Sequence, residues 1–306
     1  MYIAQGFKSG NTFWKYIQGS VLLILASIVG QLFFTAFVVI DSLSSGKQFQ
    51  PAALNMMTYF DSNTTLFFLL STFVFVLAAL FFIVKLLHHQ TILSVTTSRE
   101  KVDWSRVITA FGIWSVFTIG STLIMYFANP SNFEINFKPI PFLILTLIGV
   151  IMIPLQTSAE EYIFRGYLMQ GFAVLARNKW FPLLMTSFIF GGLHFFNPEV
   201  EKMGPIIMIY YMGTGLFLGI LTLMDEGMEL ALGFHAANNT IGALLITSDW
   251  TAFQTNSILK DISNPSAGID VILPVFIIYP ILLLIFSKKY QWTNWKEKLT
   301  GRIPSV

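Results

Sequence analysis

Cysteine is absent from this chain of 306 residues, so disulfides and thiolate metal ligands are excluded. Charge is scarce, with Asp, Glu, Lys and Arg making up 11% of the chain. A soluble domain carries about a quarter. The formal net charge of +2 is too small to point to nucleic acid as a partner. Histidine is rare, at four residues, so each one is informative. Neither G-x-S-x-G nor H-E-x-x-H occurs, which argues against a serine-nucleophile hydrolase and a zincin. No long linker, low-complexity tract or internal repeat breaks the chain. The first apolar run is long enough to stay as a span and lacks a clear small-residue cleavage site, so no cleavable signal peptide is expected.

What fills the sequence instead is apolar. Hydrophobic residues make up 55% of it, including 31 Phe, and the mean hydropathy is +0.68. Eight apolar windows stand out, at 17–40, 64–84, 107–127, 140–156, 180–196, 206–224, 230–248 and 271–287. A bilayer core about 30 Å thick needs ~20 helical residues. The first three windows meet that comfortably. The fourth, fifth and eighth are short, and the seventh is rather polar. If the N-terminus is inside, 14 of the 18 Lys and Arg fall on the cytosolic side; only Lys47, Lys138, Lys202 and Lys260 fall outside. The expected fold is therefore all-α: a bundle of about eight transmembrane helices with both termini cytosolic. Three parts are expected, with structural spans over 1–139, a motif-bearing core over 140–250, and an outer loop, last span and basic tail over 251–306. The run from Lys288 to Arg302, with Trp292 and Trp295, reads as an anchor at the anionic inner leaflet. The loops 41–63 and 249–270 read as the long outer connections. His88 and His89 read as surface-loop residues.

Three short patterns carry the chemistry: Glu160-Glu161-Tyr-Ile-Phe-Arg165, Phe190-Gly-Gly-Leu-His194 and His235-Ala-Ala-Asn-Asn239. Each sets its key residues four apart, on one face of a helix. Ionisable groups inside a bilayer are costly and mark function by default. Glu161 and Arg165 stand in the favourable acid-first order for an ion pair, which would leave Glu160 free to face elsewhere. Taken alone, the Glu pair reads equally as a structural charge network, His194 as a helix cap, and Asn239 as interhelical glue among small residues. Together the set meets the needs of water-driven amide hydrolysis. A glutamate deprotonates water, a histidine orients it or holds a metal, and a histidine and an asparagine donate to the oxyanion.

In this order and context the motifs resemble those of the CPBP family of intramembrane proteases, which includes the CAAX prenyl endopeptidases and the bacterial Abi-type proteins. The resemblance spans about 140–250. It implies that Glu160 and His194 activate the water, that His235 and Asn239 complete the site and stabilise the oxyanion, and that Glu161 and Arg165 support it. It leaves metal dependence open. Glu160, His194 and His235 would offer Zn²⁺ an N/N/O set, and the same residues can act without metal. The implied substrate is a peptide or membrane-protein segment, in a bacterial cytoplasmic membrane. Two rival readings are a non-proteolytic scaffold or immunity protein of the same fold, and a proton-coupled transporter, which would show inverted repeats.

Two points are left for the structure. Pro154 either ends window four, with Ser158 and Glu161 forming a capping box for a new amphipathic helix over 159–176, or sits inside one long helix. Depth is the other. With window four ending near 156, Glu160 falls at the cytosolic edge, whereas His194 falls about 21 Å along window five.

Overall fold

The computed structural model describes residues 1–7, 10–46, 59–265 and 268–303. Lys8, Lys47 and most of the loop 41–63 lie outside them. The protein is mostly helical. In chain order it comprises α1 (Phe13–Ser45), α2 (Ser62–Leu86), the short α3 (Ile92–Thr96), α4 (Trp104–Ala128), α5 (Pro139–Glu161) and α6 (Met169–Ala176). There follow α7 (Trp180–Leu193), the short α8 (Pro198–Met203), α9 (Met208–Asp225), α10 (Glu229–Leu245), α11 (Ile269–Leu273), α12 (Tyr279–Tyr290) and α13 (Trp295–Thr300). Local chemistry sets several starts. The Asp61 carboxylate accepts from the Asn63 and Thr64 amides at α2, and Asp103 accepts from the Ser105 amide at α4.

Each of the eight windows coincides with a helix. Among the described residues, six helical segments are long and apolar enough to cross a membrane: Phe13–Ser45, Ser62–Leu86, Trp104–Ala128, Pro139–Ala176, Pro205–Asp225 and Val271–Tyr290. The protein is a multi-pass membrane protein. Windows five and seven fall short of the expected count. α7 has only 14 residues, about 21 Å of helix. α10 carries the polar run from His235 to Asn239.

Pro154 does not end its helix. α5 runs through it, passes into a π-helical turn over Tyr162–Leu168, and continues as α6. Ser158 therefore lies inside the helix, and no capping box forms. Proline removes one N–H, yet transmembrane helices tolerate it where neighbours re-satisfy the backbone. The carbonyl left without its usual donor is that of Val150, four residues earlier, and the Thr157 hydroxyl adds a separate bond to the Pro154 carbonyl at 3.3 Å.

Close packing brings the elements together at glycines. A Cβ on Gly233 of α10 would lie inside the Val107 carbonyl of α4, and one on Gly215 of α9 would press the Ser187 backbone of α7. Around these contacts Trp114, Phe217, Leu221, Leu230, Phe234 and Tyr279 form the largest core cluster. At one end of the bundle, Ile3 and Ile303 share a cluster with Met169, Ala173 and Leu183, so both described chain ends lie together. At the other end three short strands, β1 (Phe133–Ile135), β2 (Ile246–Thr247) and β3 (Leu259–Asp261), pair in the order β1–β3–β2. β1 runs antiparallel and β2 parallel to β3. The sequence reading contained no strand.

One reading is corrected here. His88 is fully buried, not a surface residue: its ring nitrogens lie 3.0 Å from Asn11 Oδ1 and 2.9 Å from the Tyr167 hydroxyl. Burial first, then the Lys15 and His89 charges, push the His88 imidazole from its ordinary 6.5 down to about 4. The basic tail folds back on the bundle. Trp292 is buried and its indole donates to Asp225, Lys298 donates to the Met224 carbonyl, and Lys179 donates to the Glu297 carbonyl.

Candidate active site

The continuous helix resolves the mismatch in depth. Glu160 stands 16 residues before the end of α6 at Ala176, about 24 Å along the axis at 1.5 Å per residue. α7 starts just beyond that end and runs back, reaching His194 after about 21 Å. His235, on the second turn of α10, meets both glutamates of α5.

The supporting layer is the most buried part. Glu161 and Arg165 are both fully inaccessible and form an ion pair at 2.9 Å. The same Glu161 oxygen lies 2.7 Å from His235 Nδ1. Arg165 also donates to the Gly215 carbonyl at 3.2 Å, and its guanidinium sits 4.5 Å from the centre of the Phe190 ring. A carboxylate only accepts, so Glu161 holds the proton of His235 on Nδ1 and fixes the ring plane. The other nitrogen, Nε2, then faces Glu160 Oε2 at 3.4 Å.

Glu160 is partly accessible, with 14% of its side chain exposed against none for Glu161. This difference separates the two adjacent carboxylates physically. Gln156, one turn earlier on α5 and almost fully buried, donates to Glu160 Oε1 at 2.7 Å. Gln156 also accepts from the Asn239 amide at 3.1 Å. Glu160, Glu161, His235 and Asn239 thus form one connected polar group.

Among the described residues His194 meets this group through Phe190. It caps the C-terminus of α7, and its Nδ1 lies 2.7 Å from the Phe190 carbonyl. A carbonyl accepts, so Nδ1 carries the hydrogen and Nε2 of the neutral ring is left as an acceptor. The ring stacks on Tyr211, centroids 4.5 Å apart, and lies 4.8 Å from the Phe190 ring. Phe190 in turn meets the His235 ring edge-on at 6.0 Å.

Glu160, His194 and His235 are not gathered into one three-ligand group among the described residues. Among the described residues, no three His, Cys, Asp or Glu side chains gather closely enough to hold a metal ion. Glu161 engages His235 Nδ1, while His235 Nε2 and Glu160 Oε2 lie 3.4 Å apart, so the pair presents two donors without a third ligand gathered beside them.

The sequence reading missed Gln156 and Tyr211. Gln156 had a usable signal, because it stands four residues before Glu160 on the same helix face. Pro154 obscured it by suggesting a break. Tyr211 had none, since it lies on a helix without a motif.

The bundle thus gathers two glutamates, an arginine, a histidine and an asparagine in one connected group. Residues 138–241 match the family model described as type II CAAX prenyl endopeptidase Rce1-like. This is the family that the three motifs resemble, and the match contains all of them. A similarity to one curated protein extends over more of the chain. The uncharacterized protein YyaK of Bacillus subtilis (strain 168) is 28% identical over 244 residues, covering 78% of this chain and 80% of its own length. No solved structure matches.

Proposed function

We propose that this protein is an intramembrane endopeptidase that hydrolyses a peptide bond in a peptide or membrane-associated protein, using water activated by Glu160. The observation that carries this reading is the contrast between the paired glutamates. Glu161 is locked between Arg165 and His235, whereas Glu160 is partly open and faces His235 Nε2.

In the proposed reaction a water placed between Glu160 and His194 gives a proton to the Glu160 carboxylate. Its oxygen attacks the peptide carbonyl carbon. The oxyanion that forms takes hydrogen bonds from the Asn239 amide and from His235, which donates through Nε2 when it carries a proton there as well as the one that Glu161 holds on Nδ1. The C–N bond then breaks, and Glu160 returns its proton to the departing amine. One water is consumed, and one carboxylic acid and one amine are released. The imidazole of His194, its Nδ1 engaged by Phe190, presents Nε2 to accept the second hydrogen of the water. The Bacillus origin of the relative supports a bacterial cytoplasmic membrane as the location.

The test is quantitative membrane proteomics on cells carrying the wild type or Glu160→Gln. A precursor that accumulates uncleaved only in the variant is the expected result. Identical membrane proteomes would remove the enzyme reading in favour of a non-proteolytic scaffold.

A further inference from the structure

Four side-chain hydrogen bonds form one directed line across three helices. The Trp114 indole of α4 donates to Asn238 Oδ1 at 3.0 Å. The Asn238 amide donates to Asn239 Oδ1 at 3.0 Å. The Asn239 amide donates to Gln156 Oε1 at 3.1 Å, and the Gln156 amide donates to Glu160 Oε1 at 2.7 Å. An indole N–H can only donate, and an ionised carboxylate can only accept. A primary amide donates through nitrogen and accepts through oxygen. The two ends of the line therefore set the sense of all three amides between them.

We infer that this line positions the reacting groups: it holds an N–H of Gln156 on Glu160 and turns Asn239 so that its NH₂, not its carbonyl, is offered toward the site. Trp114 and Asn238 are then positioning residues for a reaction they do not touch. Trp114 and Gln156 lie outside all three motifs, and Asn238 is one of the unspecified positions of H-x-x-x-N. Trp114 and Gln156 are only 5% and 3% exposed, so water competes little for their bonds and each bond polarises the next. The catalytic part of this inference rests on the endopeptidase reading.

Two measurements separate the line from that reading. The first needs no substrate. In detergent-solubilised protein labelled with ¹⁵N-tryptophan, the Trp114 indole resonance is assigned by its loss in Trp114→Phe. It should move in both Gln156→Leu and Glu160→Gln, although neither residue touches the indole. An unmoved resonance in both overturns the line, whatever the protein catalyses.

The second measurement uses a synthetic peptide spanning the cleavage site of the precursor that accumulates with Glu160→Gln. Asn238→Asp keeps the shape but can only accept. Asn239 would then turn its NH₂ to the new carboxylate and its carbonyl to Gln156, which would set a carbonyl against Glu160. kcat should fall by roughly 10–10²-fold, less than the roughly 10²–10³ for losing an oxyanion donor outright, with KM within about twofold. Asn238→Leu only cuts the line and should lose less. Equal or greater loss with Asn238→Leu overturns the positioning role. If Glu160→Gln turns the peptide over, or no precursor accumulates, the endopeptidase reading fails and the catalytic part fails with it. The indole shifts then decide the line alone.

Discussion

Replacing Glu161 by Gln should damage the fold far more than replacing its neighbour Glu160. The Arg165 guanidinium is wholly buried, and besides Glu161 its neighbours are the Gly215 carbonyl at 3.2 Å and the Phe190 ring face. Without the carboxylate a buried cation loses its counter-ion, at a cost of about 3–5 kcal/mol. His235 Nδ1 loses a charged acceptor in the same step, worth about 1.5–3 kcal/mol. A neutral amide recovers part of this through its own oxygen, so a net loss of about 3 kcal/mol is expected. The assay is thermal unfolding in detergent of Glu161→Gln, Glu160→Gln and the double variant Glu161→Leu/Arg165→Met. Glu161→Gln should melt several degrees lower and give less folded protein. Glu160→Gln should melt near the wild type. The double variant should regain part of the loss, because it removes the stranded charge while leaving His235 Nδ1 without its acceptor. If Glu161→Gln melts with the wild type while Glu160→Gln unfolds, the structural and catalytic roles of the two glutamates are reversed.

Asn239→Ala should lower kcat by roughly 10²–10³ with little change in KM, the scale of one oxyanion donor; a wild-type kcat, or a defect explained only by loss of a stoichiometric metal from the purified protein, would remove Asn239 from that role. In this cysteine-free chain a single cysteine at Ser158 or Leu232, flanking Glu160 and His235, should react with an impermeant maleimide from the cytosolic face, and reaction only from the outer face would overturn the orientation. Acid should destabilise the protein through His88. Its pKa is depressed from 6.5 to about 4 in the fold, so the unfolded chain binds the extra proton first. The stability it contributes is full above pH 6.5 and is lost as pH falls toward 4, by up to about 3 kcal/mol. His88→Gln should flatten the fall in melting temperature over that window, and an unchanged slope would contradict the burial argument.

The parts of the fold that were legible depend on local chemistry. Long apolar runs predict helices, and all eight windows hold one. Four-residue spacing predicted that Glu161 would pair with Arg165, and the two meet at 2.9 Å. What stayed hidden depends on partners distant in sequence. Pro154 reads as either a break or a point inside one long helix until the helix is seen to continue into α6. His88 reads as a surface residue until Asn11 and Tyr167 enclose it. Gln156 and Trp114 take on meaning only through the contact between α4, α5 and α10, which no single helix pattern encodes.

The central claim is that Glu160 activates water for peptide hydrolysis. Its most direct test is cleavage of the accumulated precursor by purified protein in liposomes, run in ¹⁸O-water. Wild type should release a product whose new carboxyl group carries one ¹⁸O, and Glu160→Gln should release none. Equal cleavage by the two proteins would contradict the account.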